Sequence, residues 1–250
     1  MQIDLNADAG ESFGNWKLGR DEELFPLISS VNVACGFHAG DPLTIRRTLE
    51  LAQRTGAAVG AHPGFPDRVG FGRRELAATP DEVYADVLYQ VGALSAFLKV
   101  VQLPLHHIKA HGALYNRATK DPETARAIAQ AALDFDPQVP LVVLPHTPLE
   151  QEALRLGLRT IAEAFPERGY TSDGRLAPRG TAGAWIHDPG LAARRAVQMV
   201  VEGRVEAVDG GWVEVRAQTL CIHGDNPNAV EIARAVREAL LAEGVTIATY

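Results

Sequence analysis

The chain has 250 residues, 46% hydrophobic and 22% charged, enough to bury one substantial core, so one large domain is expected rather than two. A formal charge of −7 without any Lys/Arg run argues against a nucleic-acid or anionic-membrane footprint and leaves small molecules or other proteins as partners. Cys35 and Cys221 are too few for a disulfide scaffold, Met1 leads straight into QIDL without the regions of a signal peptide, and no apolar run approaches about 20 residues, so a cytoplasmic protein with no membrane span is expected.

Ile3 and Leu5 alternate with polar neighbours, so Gln2 to Asn6 is expected as a first strand. It opens into NADAGESFG, where Asp8, Gly10, Glu11 and Gly14 read as turn residues or as a site; their place in the first βα loop favours a site. Asp21 to Ile28 is expected as a short helix with an acidic first turn. VNVACGFHAGDP, Val31 to Pro42, begins as an apolar strand, passes Gly36, and places His38, Gly40 and Asp41 before a helix, Leu43 to Arg54, that Gly56 closes. A strand ending in glycine and titratable side chains puts its chemistry at the carboxyl edge of a sheet. Asp41 suits helix capping and chemistry equally, whereas His38, between glycines, is expected to do chemistry.

Ala57 to Ala61 is a third, buried strand ending in His62-Pro63-Gly64, which repeats the arrangement at His38. Neighbouring parallel strands bring their ends together, so the two histidines are expected to share a substrate or a metal. In the loop Pro66 to Leu76, PDRVGFGRREL, Gly70 and Gly72 let backbone N–H groups approach an anion, and Arg73 or Arg74 can fork onto a carboxylate or phosphate; the alternative is a solvated loop. No Walker A pattern occurs anywhere.

Thr79-Pro-Asp-Glu82 opens a long helix whose apolar face runs to Leu98. Leu105 to Ala110 is a fourth strand, with Lys109 and His111 on one face; a lysine inside a barrel is costly unless it is paired or serves a ligand. His106 and His107, at the other end of that strand, are expected to be structural or exposed. A helix Thr124 to Leu133, a fifth strand Leu141 to Pro145, a helix Leu149 to Leu156 and a strand Thr160 to Phe165 follow. His146 is a lesser candidate because Thr147-Pro148 reads as a helix start. Glu163 wants a cation, with Lys109 or an arginine the expected partner. Arg168 to Gly183 is a long loop or flap in which Arg175 and Arg179 are candidate anion clamps. After a helix Asp188 to Glu202, Arg204 to Val215 reads as a hairpin turning at Asp209-Gly-Gly. Thr219 to Ile222 is a late strand ending in His223-Gly224-Asp225, a third strand-histidine-turn arrangement. A helix Asn228 to Glu243 and a strand Val245 to Thr249 complete the chain.

Strands alternating with helices imply an α/β domain with a mainly parallel sheet. About seven strands favour an irregular TIM-like barrel over a doubly wound open sheet. Only a barrel gathers His38, His62, His111 and His223 around one mouth.

Five segments, DLNADAGESFG (Asp4 to Gly14), NVACGFHAGDP (Asn32 to Pro42), GAHPGFPDRVGFGRR (Gly60 to Arg74), KAHGALYN (Lys109 to Asn116) and CIHGD (Cys221 to Asp225), resemble the LamB/YcsF family nearly end to end. The resemblance implies a barrel like that of carbohydrate deacetylases. It also implies action as the A subunit of a bacterial ATP-dependent 5-oxoprolinase that opens 5-oxoproline to glutamate with two further subunits, B and C. Asp8, His38, Asp41, His62 and His111 are then the candidate catalytic groups, and Asn6, Glu11, Asn32, Gly70, Gly72, Arg73, Lys109, Arg179, His223 and Asp225 the candidate substrate- or phosphate-binding groups. ATP is the implied co-substrate; which subunit binds it is left open, as is self-association. No metal is expected; Asp8, His38 and His62 are the expected ligands if one binds. At Pro166-Glu167 the chain departs from the Ala-Asp of the family, so no special role is expected for an acid there. The competing readings are a metal-dependent amidase or deacetylase and a non-catalytic ligand-binding subunit.

Overall fold

The computed structural model describes residues 1–178 and 180–250; Arg179, one of the candidate anion clamps, lies outside the described residues. In chain order the strands are β1 (Gln2–Ala9), β2 (Ser30–Ala34), β3 (Ala58–His62), β4 (Leu105–Ile108), β5 (Leu141–Val143), β6 (Thr160–Ala164), β7 (Arg204–Glu206), β8 (Trp212–Glu214), β9 (Thr219–Ile222) and β10 (Thr246–Ile247). The helices are α1 (Asp21–Leu24), α2 (Pro42–Thr55), α3 (Pro80–Val101), α4 (Gly112–Ala118), α5 (Pro122–Phe135), α6 (Pro148–Arg155), α7 (Pro189–Val197) and α8 (Ala229–Ala242). Parallel pairing runs β1-β2-β3-β4-β5-β6-β9 and returns from β9 to β1, so seven strands close into a barrel. β10 adds to the start of β1, and β7 and β8 form the expected antiparallel hairpin outside the barrel.

Alternation along β1 sends Ile3, Leu5 and Ala7 to a buried layer beneath the helices. Asp4, Asn6 and Asp8 point the other way. Asn6 Nδ2 reaches Glu163 Oε1 at 3.1 Å although β9 separates β1 from β6, which is possible only across the barrel interior. That interior is polar rather than filled by branched apolar side chains. Asp4 accepts from Ser29, Ser30 and Thr219 hydroxyls at 2.6, 2.8 and 2.5 Å, and Asn6 Nδ2 donates to Thr219 Oγ1 at 2.7 Å. Gly60 pairs with His107 across β3 and β4, and a Cβ there would overlap the His107 ring. Glycine thus makes room for a buried imidazole. His107 has the structural place expected of it, fully buried with Nε2 2.7 Å from Asn32 Oδ1.

Outside, α3 buries Val83, Val87, Val91, Leu94 and Leu98. It starts in the expected capping box, in which Thr79 and Glu82 satisfy each other's backbone N–H groups. By length and composition alone α3 is apolar enough to cross a membrane, but charged residues interrupt it and its apolar stripe lies against the barrel and α5.

Two local expectations change. β1 continues to Ala9, so Asp8 stands on the strand's inward face rather than in a loop. Asp41 is an N-cap: its Oδ1 accepts from the Leu43 and Thr44 N–H groups at 2.9 Å each, and its Oδ2 accepts from Gly14 N–H at 2.8 Å. Backbone donors occupy both oxygens. Asp41→Ala is expected to cost about 1 kcal/mol of unfolding free energy in urea titrations, with Asp41→Asn recovering most of it.

Candidate active site at the barrel mouth

Lys109 lies just past β4, its backbone N–H held by Ala61 O at 2.9 Å. Its Nζ is 2.6 Å from Glu163 Oε1, 3.0 Å from Cys221 Sγ, 3.2 Å from Asn6 Oδ1 and 3.4 Å from Asp8 Oδ1. Burial alone would lower the ammonium pKa, but the Asp8 and Glu163 carboxylates outweigh it and hold Lys109 well above the ordinary lysine value. It is a fixed cation, not a nucleophile, and Glu163 is its expected partner. Tyr115 OH donates to Glu163 Oε2 at 3.3 Å. Burial pushes the Cys221 thiol well up despite Lys109, so the sulfur is a neutral acceptor. Asn32 Nδ2 donates to Asn6 Oδ1 at 2.7 Å and to Asp8 Oδ1 at 2.9 Å. Burial would raise the Asp8 carboxyl, but His62 and Lys109 outweigh it and hold it well below the usual range.

Next to Asp8, the structure brings together His38, His62 and His111, from the ends of β2, β3 and β4. The His38 and His111 rings stack at 3.7 Å between centroids, and His62 stands edge-on to both at 5.6 and 4.8 Å. Glu11 Oε1 lies 3.4 Å from His38 Nε2 and 3.8 Å from His111 Nδ1. Burial pushes the His38 and His111 pKa values well down and that of Glu11 well up. A Cβ on Gly72, whose φ is +61°, would press on both His38 and His111, so this glycine serves the imidazole stack.

The Pro66 to Leu76 loop corrects the anion-binding expectation. Gly70 N–H donates to Asp67 Oδ1 at 2.9 Å, Gly72 N–H to Asp67 O at 2.8 Å, and Arg74 forks onto the Asp67 carboxylate. The anion at this loop is the chain's own Asp67. Arg73 instead pairs with Asp225 at 2.8 Å across the rim. His223 also reaches the mouth; its backbone N–H donates to Glu167 Oε2 at 2.7 Å, and Asn226 Nδ2 donates to Glu167 Oε1. Glu167, fully buried, therefore holds the loop that carries His223 and Asp225, a role not expected from the sequence. Its position just past a barrel strand, like those of His38 and His62, was the available signal. His146 and Arg175 are exposed; Arg175 pairs with Asp173.

Asp8, His62, Lys109, Tyr115, Phe165 and His223 line a cavity of about 40 Å³, room for about one water. Two donor sets could hold a metal ion: Glu11, His38, His62 and His111, and separately Asp8, Cys221 and His223. The expected set of Asp8, His38 and His62 is divided between them.

The LamB/YcsF family model matches residues 3–250. The chain is 65% identical over 250 residues to the 5-oxoprolinase A subunit of Thermus thermophilus, covering 100% of both chains. It is 51% identical over 247 residues to the 5-oxoprolinase A subunit of Thermococcus onnurineus, covering 99% of this chain and 97% of that one. The crystal structure of a lactam utilization protein from Thermus thermophilus superposes with a TM-score of 0.97 at 64% identity, covering 100% of both chains.

Two outcomes are expected of the site's charges. Lys109→Met leaves buried carboxylates uncompensated and should cost about 3–5 kcal/mol in denaturant unfolding, with Lys109→Met/Glu163→Gln regaining part of it. Arg74 lowers the Asp67 carboxyl to about 2, against about 3.9 in an unfolded chain. The stabilisation is complete above about pH 4 and is lost as pH falls towards 2. The Tm difference between the wild type and Asp67→Asn should shrink over that acid range.

Proposed function

The chain belongs to the LamB/YcsF family, and from that membership we propose that it serves as the A subunit of an ATP-dependent 5-oxoprolinase, hydrolysing the lactam of 5-oxo-L-proline to L-glutamate together with two further subunits. The observation that carries the reading is the convergence of Asp8, His38, His62, Lys109 and His111 at one barrel mouth in a chain so close to proteins of that name.

An unactivated amide is a poor electrophile, and ATP overcomes this by transferring its γ-phosphoryl group to the lactam oxygen, releasing ADP. Water then adds at the activated carbon and the C–N bond breaks as the nitrogen takes a proton. The resulting acyl phosphate reacts with a second water to give glutamate and phosphate. Lys109, which keeps its charge, offsets the negative charge that builds on oxygen. The His38 and His111 imidazoles, which burial keeps neutral, take a proton from water and return one to nitrogen, while Asp8, held ionised, orients His62. No phosphate-cradling loop is present among the described residues, the Gly70 and Gly72 N–H groups being taken by Asp67. This favours placing the main ATP site on a partner subunit.

Reconstitution with the candidate partner subunits should give ATP consumption matched by glutamate release from 5-oxoproline. Neither product from a demonstrably assembled complex would refute the reaction. Within that complex, His38→Ala should abolish turnover while 5-oxoproline binding, followed by calorimetry, stays within about a few-fold; a parallel loss of both would favour a ligand-binding role.

A further inference from the structure

Two of the three mouth histidines, His62 and His111, are not free to choose their tautomers. His62 Nδ1 lies 2.7 Å from the Lys109 carbonyl oxygen, and His111 Nε2 lies 2.9 Å from the Phe71 carbonyl oxygen. A carbonyl only accepts, so both of those nitrogens carry the proton. In neutral rings the opposite nitrogens are then bare lone pairs. They are His62 Nε2 and His111 Nδ1, and they face each other at 3.0 Å. Two lone pairs at that distance repel unless something electron-poor lies beside them. The surrounding donors have the same deficiency: Glu11 Oε1 and His38 Nε2 are buried without a hydrogen-bond partner, 3.4 Å apart.

We infer that Glu11, His38, His62 and His111 form a binding site for one divalent transition-metal ion, with zinc the best match to three imidazoles and a carboxylate. The four donor atoms lie within 4.8 Å of one another. A tetrahedral ion with bonds of about 2.0–2.1 Å needs donors about 3.4 Å apart, and three of the six donor pairs here lie at 3.0, 3.4 and 3.8 Å. Anchoring of each ring's distal N–H by a backbone carbonyl, seen at His62 and His111, fixes the tautomer and aim of a metal-binding histidine. The tight packing of Gly72 against His38 and His111 holds two of the donors in place. This inference does not depend on the proposed reaction. With the ion bound, these imidazoles are ligands, and proton transfer falls to Asp8, 3.3 Å from His62 Nε2.

The competing arrangement is an extra proton on His62, making it an imidazolium that donates towards Asp8 or His111. The full-length chain, stripped with a chelator and then dialysed against zinc, separates the two. One tightly held zinc per chain by elemental analysis, a raised Tm, and tetrahedral d–d absorbance when cobalt replaces zinc are expected. Glu11→Gln and His62→Ala should each weaken zinc binding by more than about tenfold, whereas Cys221→Ala, which belongs to the other donor set, should keep it. Circular dichroism confirms that each variant is folded, and Glu11→Gln keeps the test decisive should His62→Ala fail to fold. The inference is overturned if the stripped wild type takes up no stoichiometric zinc, or if zinc survives Glu11→Gln and is lost in Cys221→Ala. It is likewise overturned if histidine ¹⁵N shifts show a doubly protonated His62 that zinc leaves unchanged.

Discussion

One buried ammonium governs this barrel. Lys109 is 3% exposed, and a lysine so placed survives as a cation only if carboxylates and dipoles replace the water it has lost. Glu163 and Asp8 supply the charge, and Cys221 and Asn6 supply the remaining acceptors. These partners come from β1, β6 and β9, so the compensation can exist only once the barrel has closed. Folding and assembly of the charged centre are the same event.

The rest of the interior follows from that choice. A charged centre needs polar neighbours, and Asn6, Asn32 and His107 form a chain of hydrogen bonds beside it instead of an apolar plug. Apolar burial is moved outward to the layer between strands and helices, where Leu5, Val31, Val33 and Ile108 meet the inner faces of the helices. Stability therefore comes mainly from the outer layer, leaving the inside for electrostatics. Gly60 and Gly72 mark where backbone gives way to buried imidazole.

At the mouth, electrostatics sorts similar residue types into different states. Asp8, beside His62 and Lys109, is kept ionised, whereas Glu11, a few ångströms away, is pushed towards its protonated form by burial and by the Asp8 and Asp225 charges. The rim is closed by contacts the chain makes with itself, Arg73 with Asp225 and Glu167 with the His223 loop. The proposed lactam chemistry and the inferred metal site draw on the same property, a set of imidazoles whose lone pairs burial has left free to bind a proton or an ion.

Element order and the barrel are legible in the amino-acid chain alone. Alternation along β1, the helical periods of α2 and α3, the capping signals at Asp41 and Thr79 and the Asp209-Gly-Gly turn are local properties, set by backbone preference and side-chain spacing whatever the rest of the chain does. The place of the site is legible too, because histidines placed just past successive parallel strands must meet when those strands pair, and Glu163 could be matched to Lys109 because a buried acid requires a cation. The folded arrangement was needed to settle which polar atom answers which. Gly70 and Gly72, which looked like an anion cradle, serve Asp67 and the imidazole stack; Asp41 commits its oxygens to backbone; Glu167 holds a loop from 56 residues further along the chain. The contacts of Glu167 with the His223 loop, of Gly72 with His38 and His111, and of Asp41 with Gly14 depend on distances of a few ångströms between segments far apart in sequence, and no local preference encodes such a distance.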